Sequence, residues 1–273
     1  MTKVHVNAIR NDASIFVERR GKEKLAVLAE VGTETIDNLL NGNFEALNDK
    51  YLAKIKTIVK NESNIGLYRT TDCMAFLRAA DEATEYNLMV GITGDTGTGK
   101  TFMSTAVAQK NNVLYWNCHM EKSPRVFFQE LLCNLRASYY GTISAMIEKA
   151  AKAMNEQGTL LIIDEADKMH PQIRACVHTL RDRTAKQCGI MLVGMVALKN
   201  DLITGKEQGK KGYAEFSRRV NIWHHMDGLQ PKEINKVLED NGITEPGILR
   251  EFRHYTSFGE LVNAIQLHKI LNS

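Results

Sequence analysis

The sequence has little of what several classes of protein require. Only five of its 273 residues are cysteines, an odd number without a C-x-x-C pair, so neither a disulfide framework nor a zinc site is indicated. No apolar run approaches the ~20 residues of a membrane-spanning helix, and the N-terminus lacks the hydrophobic core of a signal peptide. These absences predict a cytoplasmic protein with reduced thiols and no membrane partner.

The sequence also has no large excess of charge of one sign. Its 35 lysines and arginines stand against 32 aspartates and glutamates, which gives a formal net charge of +3 at pH 7. So small an excess does not by itself indicate a polyanionic partner, although positive charge can still be concentrated on one face. The hydrophobic fraction of 44% is that of an ordinary globular protein.

Three regions differ in their hydrophobic pattern. Residues 1–62 predict short helices only, residues 63–228 alternate helical stretches with short apolar runs, and residues 229–273 return to helices alone. The apolar runs are NLMVGIT (87–93), NVLYWNC (112–118), TLLIID (159–164), GIMLVG (189–194) and RVNIWHH (219–225). Because short runs separated by helices are typical of parallel strands with crossover helices, the middle region predicts an α/β sheet covered on both faces.

A glycine-rich segment follows the first apolar run. Its residues are, in order, Gly94, Asp95, Thr96, Gly97, Thr98, Gly99, Lys100, Thr101 and Phe102. They fit G-x-x-x-x-G-K-[ST] at every fixed position, directly after a predicted strand and at the start of a predicted helix. In such a loop the backbone N–H groups point at nucleotide phosphates, Lys100 adds a charge for the β- and γ-phosphates, and Thr101 offers its hydroxyl to Mg²⁺. The segment therefore predicts a site for ATP and Mg²⁺.

An acidic pair ends the third apolar run. In GTLLIIDEADKM (158–169), a buried strand delivers Asp164 and Glu165 at its carboxyl end, where open α/β sheets bind their ligands. We expect Asp164 to hold the magnesium ion and Glu165 to orient or polarise the attacking water. The alternative is that both are solvated acids at the end of a strand. Together with the phosphate loop, the pair favours hydrolysis over nucleotide binding alone.

The order of these features resembles the AAA+ ATPases. The phosphate loop, the second strand, IIDEAD, the fourth strand and then FSRRV follow one another as in that family, along residues 63–273. The resemblance implies a P-loop sheet flanked by helices, a small C-terminal helical lid over residues 229–273, and an arginine finger that reaches the nucleotide of a neighbouring subunit. Arg219 is in the position of that finger and Arg218 is the adjacent alternative, unless both are surface charges.

Two positions depart from the AAA+ pattern. Where the fourth strand usually ends in a polar sensor residue, Gly194 is followed by Met195, whose thioether is a weak hydrogen-bond acceptor. Gly259 stands where the family's lid carries a sensing arginine, although Arg253 is close by in the sequence. Both departures predict slow turnover, which suits a timer or switch better than a motor.

The N-terminal region carries a spacing similar to that of the phage-repressor helix-turn-helix. In KLAVLAEVGTETIDNLLNG (24–42), the matching positions are Ala26, Val31, Ile36 and Gly42. Glu30 occupies the position of the usual turn glycine, and the second helix carries Glu34 and Asp37 without a lysine or arginine. Since acidic side chains repel phosphate, only generic backbone contacts are available to DNA here. They would come from Lys22, Lys24, Lys50, Lys54 and Lys56.

A helix-turn-helix-like module ahead of an AAA+ core is similar to the transposition ATPases of the phage Mu B type and, more loosely, to the target-selection ATPases of other transposons. The resemblance implies subunits that assemble with ATP into a ring or helical filament around double-stranded DNA, with little sequence preference. It also implies that they stimulate a transposase and dissociate when ATP is cleaved. A helicase-loader-type ATPase and an ATP-gated repressor-type regulator are the alternatives.

Four basic residues are candidates for contacts with the DNA backbone: Lys122, Arg125, Lys168 and Arg174. Each is equally explained as a solvated surface charge. Aromatic residues that would stack on unpaired bases are missing around these positions, since Tyr115 and Trp116 fall within a predicted strand and are assigned to the core. That pattern favours duplex over single-stranded DNA.

Overall fold

The chain divides after Tyr68 into two units, Met1–Tyr68 and Arg69–Ser273. The computed structural model describes residues 6, 9–10, 13–14, 16–17, 21–44, 47–63, 68–110, 112–118 and 123–271, without the side chains of residues 57 and 59–63. Each unit has a hydrophobic core of its own. Within the described ranges, none of the helices combines the length and the hydrophobicity that a bilayer crossing requires.

The described elements of the first unit are helices. They include α1 (Lys22–Ala29), α2 (Thr33–Asn41) and α3 (Asp49–Ser63), packed around buried side chains such as Leu25 and Ile36. The turn from α1 to α2 passes through Glu30, whose φ of 52° is left-handed. Glycine adopts this conformation most easily. The backbone at Glu30 is therefore left-handed at the position where a helix-turn-helix usually has its turn glycine.

Acidic side chains of this unit pair with its lysines. Nζ of Lys22 lies 2.9 Å from Oδ2 of Asp37, and Lys54 pairs with Glu30. Two of the lysines expected to contact DNA are therefore already engaged within the unit. Because Glu34 of α2 is exposed, this helix presents negative charge to solvent, which disfavours base reading.

Five parallel strands form the sheet of the second unit, in the order β2-β3-β4-β1-β5. They are β1 (Met89–Gly94), β2 (Val113–Asn117), β3 (Leu160–Asp164), β4 (Gly189–Gly194) and β5 (Ile222–Met226). Every residue of β1, β3 and β4 is buried, as expected for strands covered on both faces. The predicted α/β sheet flanked by helices is confirmed.

Helices connect the strands and follow the last one. α4 (Thr71–Glu85) precedes β1. The helices between strands are α5 (Lys100–Val107), α6 (Pro124–Asn134), α7 (Ile143–Gln157), α8 (Pro171–Thr184), α9 (Val196–Glu207) and α10 (Tyr213–Ser217). Side-chain hydroxyls of Thr70, Ser123 and Thr142 cap the first turns of α4, α6 and α7. After β5 come α11 (Pro231–Asp240), α12 (Pro246–Phe252) and α13 (Phe258–Leu271). The division of these last helices into a separate lid stays a prediction.

Candidate nucleotide site

The glycine-rich segment forms the turn between β1 and α5. Gly97 and Gly99 have φ values of 81° and 89°, in the left-handed region that glycine adopts without a steric penalty. Gly99 is also the N-cap residue of α5, so the positive end of the helix dipole faces the loop. The geometry is that of an anion-binding turn at a helix N-terminus.

Lys100, the first residue of α5, folds back over this loop. Its Nζ donates to the carbonyl oxygens of Gly94 at 2.8 Å and Asp95 at 2.6 Å. Burial lowers the pKa of Lys100, and the carboxylates of Asp164, Asp167 and Asp95 act in the opposite direction. The carboxylates of Asp164 and Asp167 are thus close enough to Lys100 to interact with it electrostatically.

Asp164 is the buried carboxylate at the end of β3, with only 1% of its surface exposed. Its Oδ1 accepts the backbone N–H of Glu165 at 2.9 Å, and its Oδ2 accepts the hydroxyl of Tyr115 at 3.1 Å. Asn117, which lies opposite Asp164 in the β2–β3 register, donates its Nδ2 to the same phenol oxygen at 3.3 Å. Two side chains of β2 therefore help to orient the acid that is predicted to bind Mg²⁺.

Tyr115 contacts the candidate site, which the sequence pattern did not predict. The pattern assigns both Tyr115 and Trp116 to the core, but adjacent residues of a strand face opposite sides of the sheet. Trp116 is buried, with its ring centroid 4.6 Å from that of Phe127, whereas Tyr115 is half-buried and reaches Asp164. The assignment of Trp116 to the core agrees with the structure and that of Tyr115 does not.

The chemistry of Asp164 and Thr101 fits magnesium. Mg²⁺ prefers oxygen ligands and is usually held by one or two protein groups together with phosphates and water. Among the described residues, no group of three or more histidine, cysteine or acidic side chains could hold a metal without a nucleotide. Thr101 and Asp164 would hold the ion together with the phosphates of the nucleotide, and the ion would supply charge neutralisation there.

Glu165 lies directly after β3 in strained backbone. Its φ of 53° is left-handed, which is uncommon for a residue other than glycine and concentrates at functional sites. Its Oε1 is 2.9 Å from Nζ of Lys168, and this hydrogen bond raises the pKa of the lysine. Lys168, predicted to contact DNA, is thus engaged with the predicted catalytic glutamate.

Asp167 stands beside the position of the missing polar sensor. Its Oδ1 accepts the backbone N–H of Met195 at 2.9 Å, and a Cβ at Gly194 would lie only 2.5 Å from the same oxygen. The sulfur of Met195 in turn accepts the hydroxyl of Thr96 at 3.6 Å. Asp167 is a second residue that the sequence reasoning missed, although it follows the acidic pair by only two positions.

The start of α13 lies against the phosphate loop. The backbone N–H of Gly259 donates to the carbonyl oxygen of Gly97 at 2.9 Å, and a Cβ at Gly97 would lie 2.1 Å from Oγ of Ser257. Gly259 thus contacts the loop through its backbone where the family has an arginine side chain. Arg253 follows α12 and is exposed.

Arg218 and Arg219 lie between α10 and β5. The guanidinium of Arg219 binds Asp182 of α8 through two hydrogen bonds, Nε to Oδ1 at 2.5 Å and Nη2 to Oδ2 at 2.8 Å, which lower the pKa of the aspartate. Arg218 is exposed. β5 begins three residues later than the apolar run 219–225 indicates, because helical-type turns continue as far as Val220.

The remaining candidates for DNA contacts differ in their surroundings. Lys122 lies outside the described residues. The guanidinium of Arg174 lies 4.3 Å from the ring centroid of Tyr213, and its Nη1 is buried, so this side chain is poorly placed to meet a duplex. Arg125 is exposed at the start of α6, and one of its Nη groups donates to the carbonyl oxygen of Gly141 at 3.0 Å. Its other donors are available for phosphate.

The fold and the site together are those of a P-loop ATPase. Residues 83–200, which include the phosphate loop, the acidic pair and β4, match the family model described as AAA domain. No curated protein matches the chain at a significant level.

Two solved structures are similar to part of the chain. One is the Aeropyrum pernix Orc1 protein in complex with DNA, at 12% identity and a TM-score of 0.47, over 67% of this chain and 53% of that one. The other is a Signal Transduction ATPase with Numerous Domains from Pyrococcus horikoshii, with a tetratricopeptide repeat sensor, at 18% identity and a TM-score of 0.42, over 67% and 28%. The chain therefore matches about half of the first protein's length and just over a quarter of the second's.

Replacing Tyr115 by phenylalanine should weaken the use of Mg²⁺ by the site. The hydrogen bond from the phenol to Oδ2 of Asp164 would be lost, and a hydrogen bond to a charged group is worth about 1.5–3 kcal/mol. We expect half-maximal ATPase activity to require about 10- to 100-fold more Mg²⁺, with nucleotide binding in EDTA unchanged. A magnesium titration of the ATPase rate measures this shift. Tyr86→Phe, at an exposed tyrosine, is the matched control, and an unshifted titration would refute the role of Tyr115.

Proposed function

We propose that the chain is an ATP-dependent DNA-binding ATPase that acts on double-stranded DNA with little sequence preference. Copies of it would assemble on DNA as a ring or helical filament, select or deliver target DNA and stimulate a transposase. Hydrolysis of ATP would then drive disassembly. The ATPase class follows from the fold and the site, whereas the DNA, the assembly and the transposase are the proposal.

The observation that carries DNA binding is a group of cations around the loop between α6 and α7 of the ATPase unit. Arg125 and Lys149 each donate to a carbonyl oxygen of the segment 136–142, and Arg136 at its start is exposed. Cations grouped in this way can contact the phosphates of the DNA backbone. Because the backbone is the same in every DNA sequence, such contacts give binding without sequence preference. Repetition of the group in each subunit of an assembly would follow the DNA backbone.

The charges of the first unit support binding without sequence preference. Asp37 and Glu30 pair with lysines, and Glu34 is exposed on α2. A helix with this charge is unsuited to the major groove, where specific readout uses donors and cations of the recognition helix. This disfavours the repressor-type alternative.

Assembly is supported by the surroundings of the two arginines after α10. Arg219 is held by Asp182 of its own chain, and Arg218 is exposed. An exposed arginine here is available to a neighbouring copy and can act on that copy's nucleotide. A subunit that depends on its neighbour in this way hydrolyses ATP efficiently only in an assembly.

Fluorescence anisotropy with short duplexes of unrelated sequence tests the proposal. With an uncleavable ATP analogue we expect tight binding that changes little when the sequence is scrambled and that falls steeply with salt. Lys100→Ala, which removes the phosphate-binding amine, should bind weakly under all conditions. Electron microscopy should show a ring or filament with the analogue and separate subunits with ADP.

Two outcomes would count against this function. A strong preference for one sequence would favour the repressor-type regulator, and failure to bind any duplex in the presence of the analogue would reject the proposal. The helicase-loader-type ATPase is the second candidate, because Tyr140 is 72% exposed on the loop that these cations surround and could contact single-stranded DNA.

A further inference from the structure

A stacked pair of tyrosines lies between α6 and α7. The ring centroids of Tyr139 and Tyr140 are 4.7 Å apart with an angle of 29° between the ring planes. Tyr139 packs against the hydrophobic core of the sheet unit, and Tyr140 is 72% exposed. The outer ring therefore rests on an anchored inner ring and leaves most of its surface to solvent. We refer to Tyr139 and Tyr140 as the tyrosine platform.

Basic side chains hold the backbone around the tyrosine platform. Nζ of Lys149 donates to the carbonyl oxygen of Tyr140 at 2.8 Å, and Nη2 of Arg125 donates to that of Gly141 at 3.0 Å. Each cation uses one donor in this way and keeps further N–H groups for a ligand. The nearby acid Glu148 lies 3.2 Å from a guanidinium nitrogen of Arg183, so its charge is compensated.

The loop is anchored directly after the tyrosine platform. Thr142 caps α7 through its hydroxyl, which fixes the point where the loop rejoins a helix. A surface that is anchored in this way loses little conformational entropy when it binds.

We infer that the tyrosine platform stacks on an unpaired base of DNA while Arg125 and Lys149 hold the neighbouring phosphates. Unpaired DNA is bound by flat aromatic rings that stack on its bases and by cations that contact its phosphates. The tyrosine platform with Arg125 and Lys149 offers both. Any base can stack, so the contact adds affinity without adding sequence preference. The inference rests on the proposed binding of double-stranded DNA and adds that a gap in the duplex, which exposes an unpaired base, makes that binding tighter.

Three probes of the same sequence test the inference: an intact duplex, the duplex with a short single-stranded gap, and the single strand alone. Anisotropy is measured on the full chain with an uncleavable ATP analogue. Tyr140→Ala removes the ring on which one base would stack. This variant should bind the gapped and single-stranded probes roughly 5- to 150-fold more weakly than the unchanged protein, with little change for the intact duplex. Tyr140→Phe keeps the ring and should bind like the unchanged protein.

Further variants separate stacking from charge and from folding. Arg125→Ala should weaken binding to all three probes and reduce the dependence on salt, because it removes a phosphate contact. Tyr86→Ala, at another exposed tyrosine, should change nothing. ATP binding and the melting temperature should be the same for all of these proteins.

The possible failures are distinguishable. If the unchanged protein binds intact duplex and Tyr140→Ala binds every probe equally well, the inference is wrong and the proposed function stands. An equal loss on all three probes would also overturn base stacking. If the unchanged protein binds none of the probes, both are wrong.

Discussion

Glu165→Gln is expected to bind ATP as the unchanged protein does and to hydrolyse it about 10²- to 10⁴-fold more slowly. The amide keeps the size and the hydrogen-bonding reach of the side chain but cannot accept a proton from the attacking water. Asp164, the phosphate loop and Lys100 are untouched, so nucleotide binding is retained. Single-turnover hydrolysis measures the chemical step, and titration with a fluorescent nucleotide measures binding.

The same variant should remain on DNA much longer than the unchanged protein. If cleavage of ATP drives disassembly, an uncleaved nucleotide keeps the assembly in place. Glu156→Gln, at an exposed glutamate of α7, is the matched control and should behave normally. Unchanged turnover in Glu165→Gln would reject the catalytic role of this residue.

Arg218→Ala is expected to lower the DNA-stimulated ATPase rate by about 10³- to 10⁵-fold without affecting nucleotide binding. A finger arginine stabilises the charge of the transition state in the neighbouring subunit, and the exposed Arg218 is available for this role. Arg219→Ala should instead cost about 1 kcal/mol of stability, since it breaks a partly exposed ion pair with Asp182. The two variants thus separate the two arginines.

Two further experiments decide between the arginines. Asp182→Asn breaks the ion pair but keeps the guanidinium, so it should match Arg219→Ala if that residue is structural. A large loss of rate in Arg219→Ala combined with a normal rate in Asp182→Asn would make Arg219 the finger. Mixing Arg218→Ala with Lys100→Ala should restore part of the activity, because one protein brings an intact site and the other an intact arginine.

The sheet and the phosphate loop were predictable because their causes are local. Apolar runs of five to seven residues between helical stretches define buried parallel strands, and all five strands occur within or next to the predicted runs. The glycines at 97 and 99 adopt left-handed backbone, and the loop has the strand and the helix around it that the motif requires.

The contacts that were not predictable join residues far apart in the sequence. Arg219 meets Asp182 across 37 positions, and Tyr115 meets Asp164 across 49. Periodicity cannot say which of two neighbouring aromatic residues of a strand faces the site, because that depends on the register with β3. The surroundings of the tyrosine platform were not predictable either. Arg125 lies at the start of α6 and contacts the loop that follows that helix, 16 positions later in the sequence.

The hydrogen bond from Gly259 to Gly97 joins a backbone N–H to a backbone carbonyl oxygen, so it does not depend on any side chain. The hydrogen bond therefore connects the phosphate loop directly to the first turn of α13. That helix is about 20 Å long and ends in the exposed side chains of Leu267, Ile270 and Leu271. A single helix thus joins the phosphate-binding turn to an exposed apolar surface at its far end.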